Sequence, residues 1–205
     1  MATRLPVVLV LASGRGERFV ASGGAGSKLQ ALLGGRPVLA RTLDAVRASG
    51  LPWHVEDAGH PGMGDSISAA VRATRDAPGW LVLPGDLPLV QPQTLRAVAE
   101  ALAATEVVVP TFQGQRGHPV GFAARCRDEL AALSGPKGAV SVLQAHAVTE
   151  LPVSDDGILV DIDTVEALAE AERRLHRHPR EGGDPAQRAG GAEASGSPGY
   201  PPARE

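Results

Sequence analysis

Val7-Val8-Leu9-Val10-Leu11-Ala12-Ser13-Gly14-Arg15-Gly16-Glu17-Arg18 is the stretch whose reading decides the fold. Its first half is continuously apolar, with none of the alternation of a strand that wets one face. It therefore reads as a strand, Leu5–Leu11, buried on both sides. Its second half is a glycine and arginine loop, and Lys28 follows beyond another glycine-rich stretch. A buried strand that empties into such a loop at the carboxyl edge of a sheet makes an anion site. Glycines let backbone N–H groups approach the ligand, and basic side chains balance phosphate charge.

Outward from this loop, apolar runs alternate with helical patterns. Val38, Leu39, Leu43 and Val46 recur at helical spacing after Pro37, until Gly50 stops them. Trp53–Glu56 is extended, and Asp65 or Ser66 is expected to cap a helix through Ile67, Ala70 and Val71. Strands are expected at Trp80–Leu83, at Glu106–Val109 (closed by Pro110), at Val120–Phe122 and at Ile158–Ile162. Helices are expected at Thr94–Ala103, Arg127–Leu133, Ala139–His146 and Val165–His176. This alternation predicts an α/β fold around a mostly parallel sheet. Periodicity stops near His178, and glycine, proline, serine and charge dominate from there. The expected organisation is a folded domain over residues 1–177 and a disordered, low-complexity tail over 178–205.

Composition excludes several classes. A net charge of -3 leaves no basic excess for nucleic acid or a membrane surface, and 3% aromatics argue against a base-stacking platform. No apolar stretch is long enough to span a bilayer, and the first residues lack an export signal, so a cytoplasmic protein is expected. The single cysteine, Cys126, forms no internal disulfide. It is either a structural thiol or one activated by Arg125 and Arg127.

The first loop fails two nucleotide templates. Phe19 occupies the third glycine position of the dinucleotide fingerprint, and Gly26-Ser27-Lys28 lacks the Walker A order. What remains, Gly-x-Gly-x-Arg with a later lysine, suits a triphosphate. Asp86 directly follows a buried strand in Pro84-Gly85-Asp86-Leu87-Pro88, where its carboxylate is expected to hold Mg²⁺ against phosphates rather than cap a turn. Asp163, in Asp161-Ile162-Asp163-Thr164, reads equally as a second metal ligand or as a helix N-cap in competition with Thr164. Arg116 and His118 enter a strand together and could grip an anionic acceptor or move a proton. His54, His60 and Asp57 do not have metal-site spacing.

Together these segments resemble the nucleotidyltransferase family that matures the molybdenum cofactor, most closely its cytidylyltransferase branch. The carriers are Leu11–Arg18, Lys28, Gly35–Leu39, Gly62–Ser66, Gly85–Pro88, Arg116–Val120 and Asp161–Thr164, in the family's order. The resemblance implies a three-layer, Rossmann-like nucleotidyltransferase fold. It implies transfer of CMP from CTP, or from another NTP, to a molybdopterin-type cofactor, with Mg²⁺ as cofactor and a molybdoenzyme or its maturation chaperone as partner. It also implies roles. Ala12, Ser13, Gly14, Gly16, Gly64, Asp65 and Ser66 would bind nucleotide, Arg18, Lys28 and Asp86 would be catalytic, and Asp86 with Asp163 would hold metal. Arg116 and His118 would face the acceptor. The chain departs from the pattern in four places, one of them Ser13, which replaces the Ala or Gly that separates the cytidylyl and guanylyl branches. A long spacer separates Arg18 from Lys28, which predicts a mobile lysine. One strand-helix unit before Trp53 is missing. Pro136 stands where an acidic residue is usual. Two alternatives stand beside this reading: a related nucleotidyltransferase using another NTP or phosphorylated acceptor, and, motivated by the missing unit and the long spacer, a catalytically silent nucleotide-binding or cofactor-delivery protein.

Overall fold

A computed structural model describes residues 4–14 and 16–177; the expected tail, 178–205, lies outside the described residues. The chain runs from β1 (Val7–Leu11) through a short α1 (Glu17–Ala21) and a small hairpin, β2 (Leu32–Leu33) and β3 (Arg36–Pro37), into α2 (Val38–Ser49). Then come β4 (Trp53–Glu56), α3 (Met63–Ala73), β5 (Gly79–Pro84), α4 (Pro92–Ala101), β6 (Val107–Phe112), β7 (Gln115–Arg116) and β8 (Val120–Ala123). The last elements are α5 (Arg127–Ala131), α6 (Val140–Ala145), β9 (Val148–Pro152) and α7 (Val165–Arg177).

The main sheet has seven strands in the order β4-β1-β5-β8-β6-β7, with β9 also on β6. The pairs β1/β4, β1/β5 and β6/β9 are parallel, while β8 is antiparallel to both β5 and β6. Hence β4, β1, β5, β6 and β9 share one direction, and only β8 and β7 run against it. The expected mostly parallel sheet is present. α2 leads directly to β4, the outer strand, with no further strand beyond it among the described residues.

The unbroken apolar run of β1 has the expected physical cause. Val8 and Val10 point into one core with Val46 of α2 and with Leu95 and Val98 of α4. Leu9 points into the opposite core with Ile67, Ala70 and Val71 of α3 and Leu130 of α5. β5 alternates in the same way, Leu81 and Leu83 on one side and Trp80 and Val82 on the other. Truncating Leu81 or Leu83 to alanine at such a site costs about 2–5 kcal/mol. A third cluster joins Phe19, Leu33, Val38, Ile162 and Ala171 beneath the carboxyl edge.

Three expectations are corrected. Helix α3 begins at Met63 with Gly62 as N-cap residue, because Asp65 is occupied elsewhere: its Oδ2 accepts the Gly135 N–H at 3.0 Å. Strand β6 does not close at Pro110 but continues to Phe112. Pro110 sits where β6 has left β8, so no ladder donor is missed, and its carbonyl accepts the Gly117 N–H at 2.9 Å. Ile158–Ile162 is not a strand. Asp156–Leu159 forms a 3₁₀ turn whose preceding residue, the buried Asp155, accepts from Gly157, Gln91 and Thr94. The strand that does pair with β6 is β9, whose half-exposed, mixed sequence carries little strand signal. Of the two readings of Cys126 the structural one fits: it is buried, and burial, helped by Glu129 and Glu106, pushes its thiol up to about 11. No helix among the described residues is long and apolar enough to cross a membrane.

Candidate active site

Three chain segments meet at the carboxyl edge of the sheet. After β1, Gly16 takes a left-handed conformation (φ 65°) at the start of α1 and lies against Lys28. The long spacer between Arg18 and Lys28 is folded back on itself. Phe19 is buried, Gly24 sits flush on its ring where no Cβ fits, and Ser22 accepts the Val165 N–H at 3.0 Å. After β5, the Gly85 N–H donates to Leu11 at 2.9 Å, and the Thr42 hydroxyl of α2 donates to the Gly85 carbonyl at 2.9 Å. These bonds fix Asp86 beside the first loop. The third segment is tied on by the Ile162 N–H, which donates to the Asp86 carbonyl at 3.0 Å. Thr164 takes the capping role at α7, accepting from Ala167 at 3.1 Å, which leaves Asp163 for the cluster.

The result is a four-charge network. The Lys28 ammonium lies 2.5 Å from both Asp86 Oδ2 and Asp163 Oδ1, and Arg18 is 2.5 Å from Asp163 Oδ2. The Lys28 side chain is only 12% exposed, so the spacer does not leave it mobile. Burial alone would lower the Lys28 pKa. The carboxylates of Asp86 and Asp163 outweigh that and hold it above the ordinary lysine value. Asp86 Oδ1 is buried and has no hydrogen-bond partner. An ionised oxygen left bare in this way is costly unless something arrives to coordinate it. Two carboxylates facing a phosphate-sized space are hard oxygen donors of the kind a divalent cation takes, alongside phosphate oxygens. Asp86 and Asp163 therefore fit a metal. No group of three or more metal-ligating side chains occurs among the described residues, so the remaining ligands would come from substrate and water.

The network floors a cavity of about 560 Å³ that also touches Arg116, His118, Asp161 and Ile158. A second cavity of about 260 Å³ opens off the same floor, past Gly14 and Lys28, toward Ser13, Gly62 and Ser66. Not every expected nucleotide residue reaches these spaces. The Ala12 N–H is bonded to the Glu56 carbonyl at 2.8 Å. Gly64 and Asp65 form a latch onto Ser134 and Gly135. The Gly64 N–H donates to Gly135 at 2.8 Å, and a Cβ at Gly64 would lie 2.8 Å from the Ser134 carbonyl. Of the two residues expected to face an acceptor, Arg116 spends its guanidinium on Glu150, at 2.7 Å. Burial holds the His118 imidazole below its ordinary pKa, against the opposing pull of Asp86, the Val82 backbone and Asp161. Its Nδ1 is buried without a partner.

The MobA-like NTP transferase domain matches residues 44–150, about half the chain. A curated relative, 2-C-methyl-D-erythritol 4-phosphate cytidylyltransferase of Frankia casuarinae, is 33% identical over 195 residues, covering 77% of this chain and 72% of the relative. This chain belongs to the MobA-like NTP transferase family. Among solved structures, Rv0371c of Mycobacterium tuberculosis H37Rv is 27% identical, with a TM-score of 0.69 over 84% of this chain and all of that one. Its complex with manganese is 25% identical, with a TM-score of 0.67 over 84% of this chain and all of that one. The central sheet with helices on both faces is the fold shared with these structures.

In this NTP transferase, three residues to which the sequence pattern assigned no role, Glu56, His60 and Asp161, stand at or beside these cavities. Asp161 lines the larger cavity and lies two residues before Asp163, where a run already read as an apolar strand hides it. Glu56 ends β4 directly beside the first loop. Its carbonyl accepts from both Ala12 and Ser13, and its carboxylate meets His60 at 3.0 Å. An acidic residue at the carboxyl end of a strand, four positions before a histidine, was the available signal.

Proposed function

We propose that this nucleotidyltransferase transfers CMP from CTP to the terminal phosphate of a molybdopterin-type cofactor and releases pyrophosphate. The observation that carries the reading is the Arg18–Lys28–Asp86–Asp163 network on the floor of two joined cavities, with one carboxylate oxygen unsatisfied. An oxygen of the acceptor phosphate forms a bond to the α-phosphorus while the bond from that phosphorus to the β-phosphate oxygen breaks, and pyrophosphate carries off the charge. No protein nucleophile is needed, so positioning and charge neutralisation supply the catalysis. Backbone N–H groups of Ser13, Gly14 and Gly16 donate to phosphate oxygens. Lys28 and Arg18 turn from the aspartates toward the triphosphate and offset the charge that develops on the leaving group. Asp86 and Asp163, once released, would hold Mg²⁺, which when bound withdraws charge from the phosphates.

The cytidylyl choice is supported by the resemblance around Arg116–Val120 and by similarity to the Frankia cytidylyltransferase. The folded-back spacer, which holds Lys28 at the floor, favours turnover over silent binding. The Frankia relative also motivates a second reading, in which the acceptor is a small sugar-alcohol phosphate. Pyrophosphate release from CTP and Mg²⁺ with each acceptor separates the two. Turnover with the pterin phosphate alone supports the first reading, turnover with the small phosphate alone supports the second, and binding of CTP without turnover on either supports neither.

A further inference from the structure

The smaller cavity has a composition that the larger one lacks. Its formally charged residues, Glu17, Lys28 and Asp86, are all shared with the larger cavity. Its own walls are Leu11, Ser13, Leu29, His60, Pro61, Gly62 and Ser66. A nucleoside triphosphate whose phosphates lie on the shared charged floor thus places its uncharged sugar and base against His60. That ring is held on a short tether. The Glu56 side chain is buried at the end of β4, and its Oε1 meets His60 Nε2 at 3.0 Å and accepts the Ala58 N–H at 3.2 Å. Burial alone would raise the Glu56 carboxyl. The Ala58 N–H and the two histidines, His60 and His54, outweigh it and hold the group below the usual carboxylate range.

An ionised carboxylate can only accept, so Nε2 of His60 carries the proton, and in the neutral ring Nδ1 is a hydrogen-bond acceptor. We propose that His60, positioned by Glu56, reads the base of the bound nucleotide by accepting a hydrogen bond from an exocyclic amine, selecting cytosine over uracil. Cytosine offers an amine donor at the position where uracil offers a carbonyl oxygen. Two acceptors facing each other in a part-buried site are unsatisfied, which penalises UTP. Glu56 contributes twice. Its carbonyl takes the Ala12 N–H and the Ser13 hydroxyl, so the same residue registers the phosphate loop and the base reader against each other.

This inference rests on the nucleotide-binding reading above, and its test separates the two. CTP and UTP are titrated calorimetrically, with Mg²⁺, into the full chain and into His60→Phe and His60→Gln, with pyrophosphate release followed in parallel. The full chain is expected to bind CTP at least about tenfold more tightly than UTP. His60→Phe brings the two within about threefold, and His60→Gln, which keeps an acceptor oxygen, preserves most of the gap. A gap that closes in His60→Phe while no variant releases pyrophosphate removes the transferase reading and leaves the base reader standing. Equal binding of CTP and UTP by the full chain, or an unchanged gap in a folded His60→Phe, overturns the proposal.

Discussion

Two ionic networks in this protein have nearly the same composition and opposite meanings. At the carboxyl edge, Arg18 and Lys28 meet Asp86 and Asp163. On the flank, Arg125 and His146 meet Glu106 and Glu129, with contacts of 2.7, 3.1 and 2.7 Å. With His146 protonated, each holds two cations and two anions. In the flank network both Glu106 oxygens are engaged and no cavity adjoins them among those described, so it acts as a clasp between α5, the end of α6 and the start of β6. In the edge network Asp86 Oδ1 is buried and bare, beside a cavity large enough for a ligand. Charge pairing by itself does not mark a site. Unspent bonding capacity facing a cavity does.

Removing a charge should therefore have different consequences in the two places. The largest effect is expected for Asp86→Asn: pyrophosphate release falls about 10³-fold. Its thermal midpoint changes little, since Lys28 keeps Asp163. Normal activity in this variant would put the two networks in one class. Next comes Lys28→Met, with kcat/KM lowered about 10²-fold. Third, Arg18→Ala lowers turnover about tenfold, the smaller loss fitting an exposed guanidinium, whereas Arg125→Ala leaves turnover unchanged and only lowers the melting temperature. The reverse ranking of those two arginines would invert the comparison.

The smallest effect is a pH dependence confined to the clasp. Hydrogen bonds to Glu129 and then Glu106 raise the His146 pKa, so its stabilisation is full below about 6.5, the unfolded value, and is lost as pH rises through the higher folded value. Hydrogen bonds from His146 and then Arg125 lower the Glu106 pKa, so its share is present above about 4.3 and is lost as pH falls through the lower folded value. The clasp is strongest between those two pH values. Melting curves of His146→Gln and the parent chain should therefore lie furthest apart there and converge toward alkaline pH. A constant separation would assign His146 to packing instead.

The sequence showed the parts whose physics is local. A strand apolar on both faces, a glycine loop after it and an aspartate after the next such strand are all readable in one dimension, and they located β1, β5, Lys28 and Asp86. What stayed hidden depends on partners far along the chain. β9 carries Thr149 and Glu150 outward at a half-exposed edge and looks like a loop, while Ile158 and Ile162 look like a strand because they fill core space without joining a ladder. Asp65 has the right residue type and position for a cap and was drawn away by Gly135, a partner with no signal near it in the chain. Glu56 and His60 were visible as residues, but only the fold brings them to the edge of the first loop.

The packing of Phe19 against Gly24 also bears on how this chain tolerates change. Because the excursion from Phe19 to Ser27 is closed at its base by Gly16 against Lys28 and pinned at Ser22 against the start of α7, the position of the ammonium depends little on how much backbone lies beyond Ser22. Closing a flexible loop of twice the length adds only about 0.6 kcal/mol. The exposed turn near Gly26 is thus a natural splice point, where foreign sequence or a fluorescent reporter can be carried while the reactive geometry stays put.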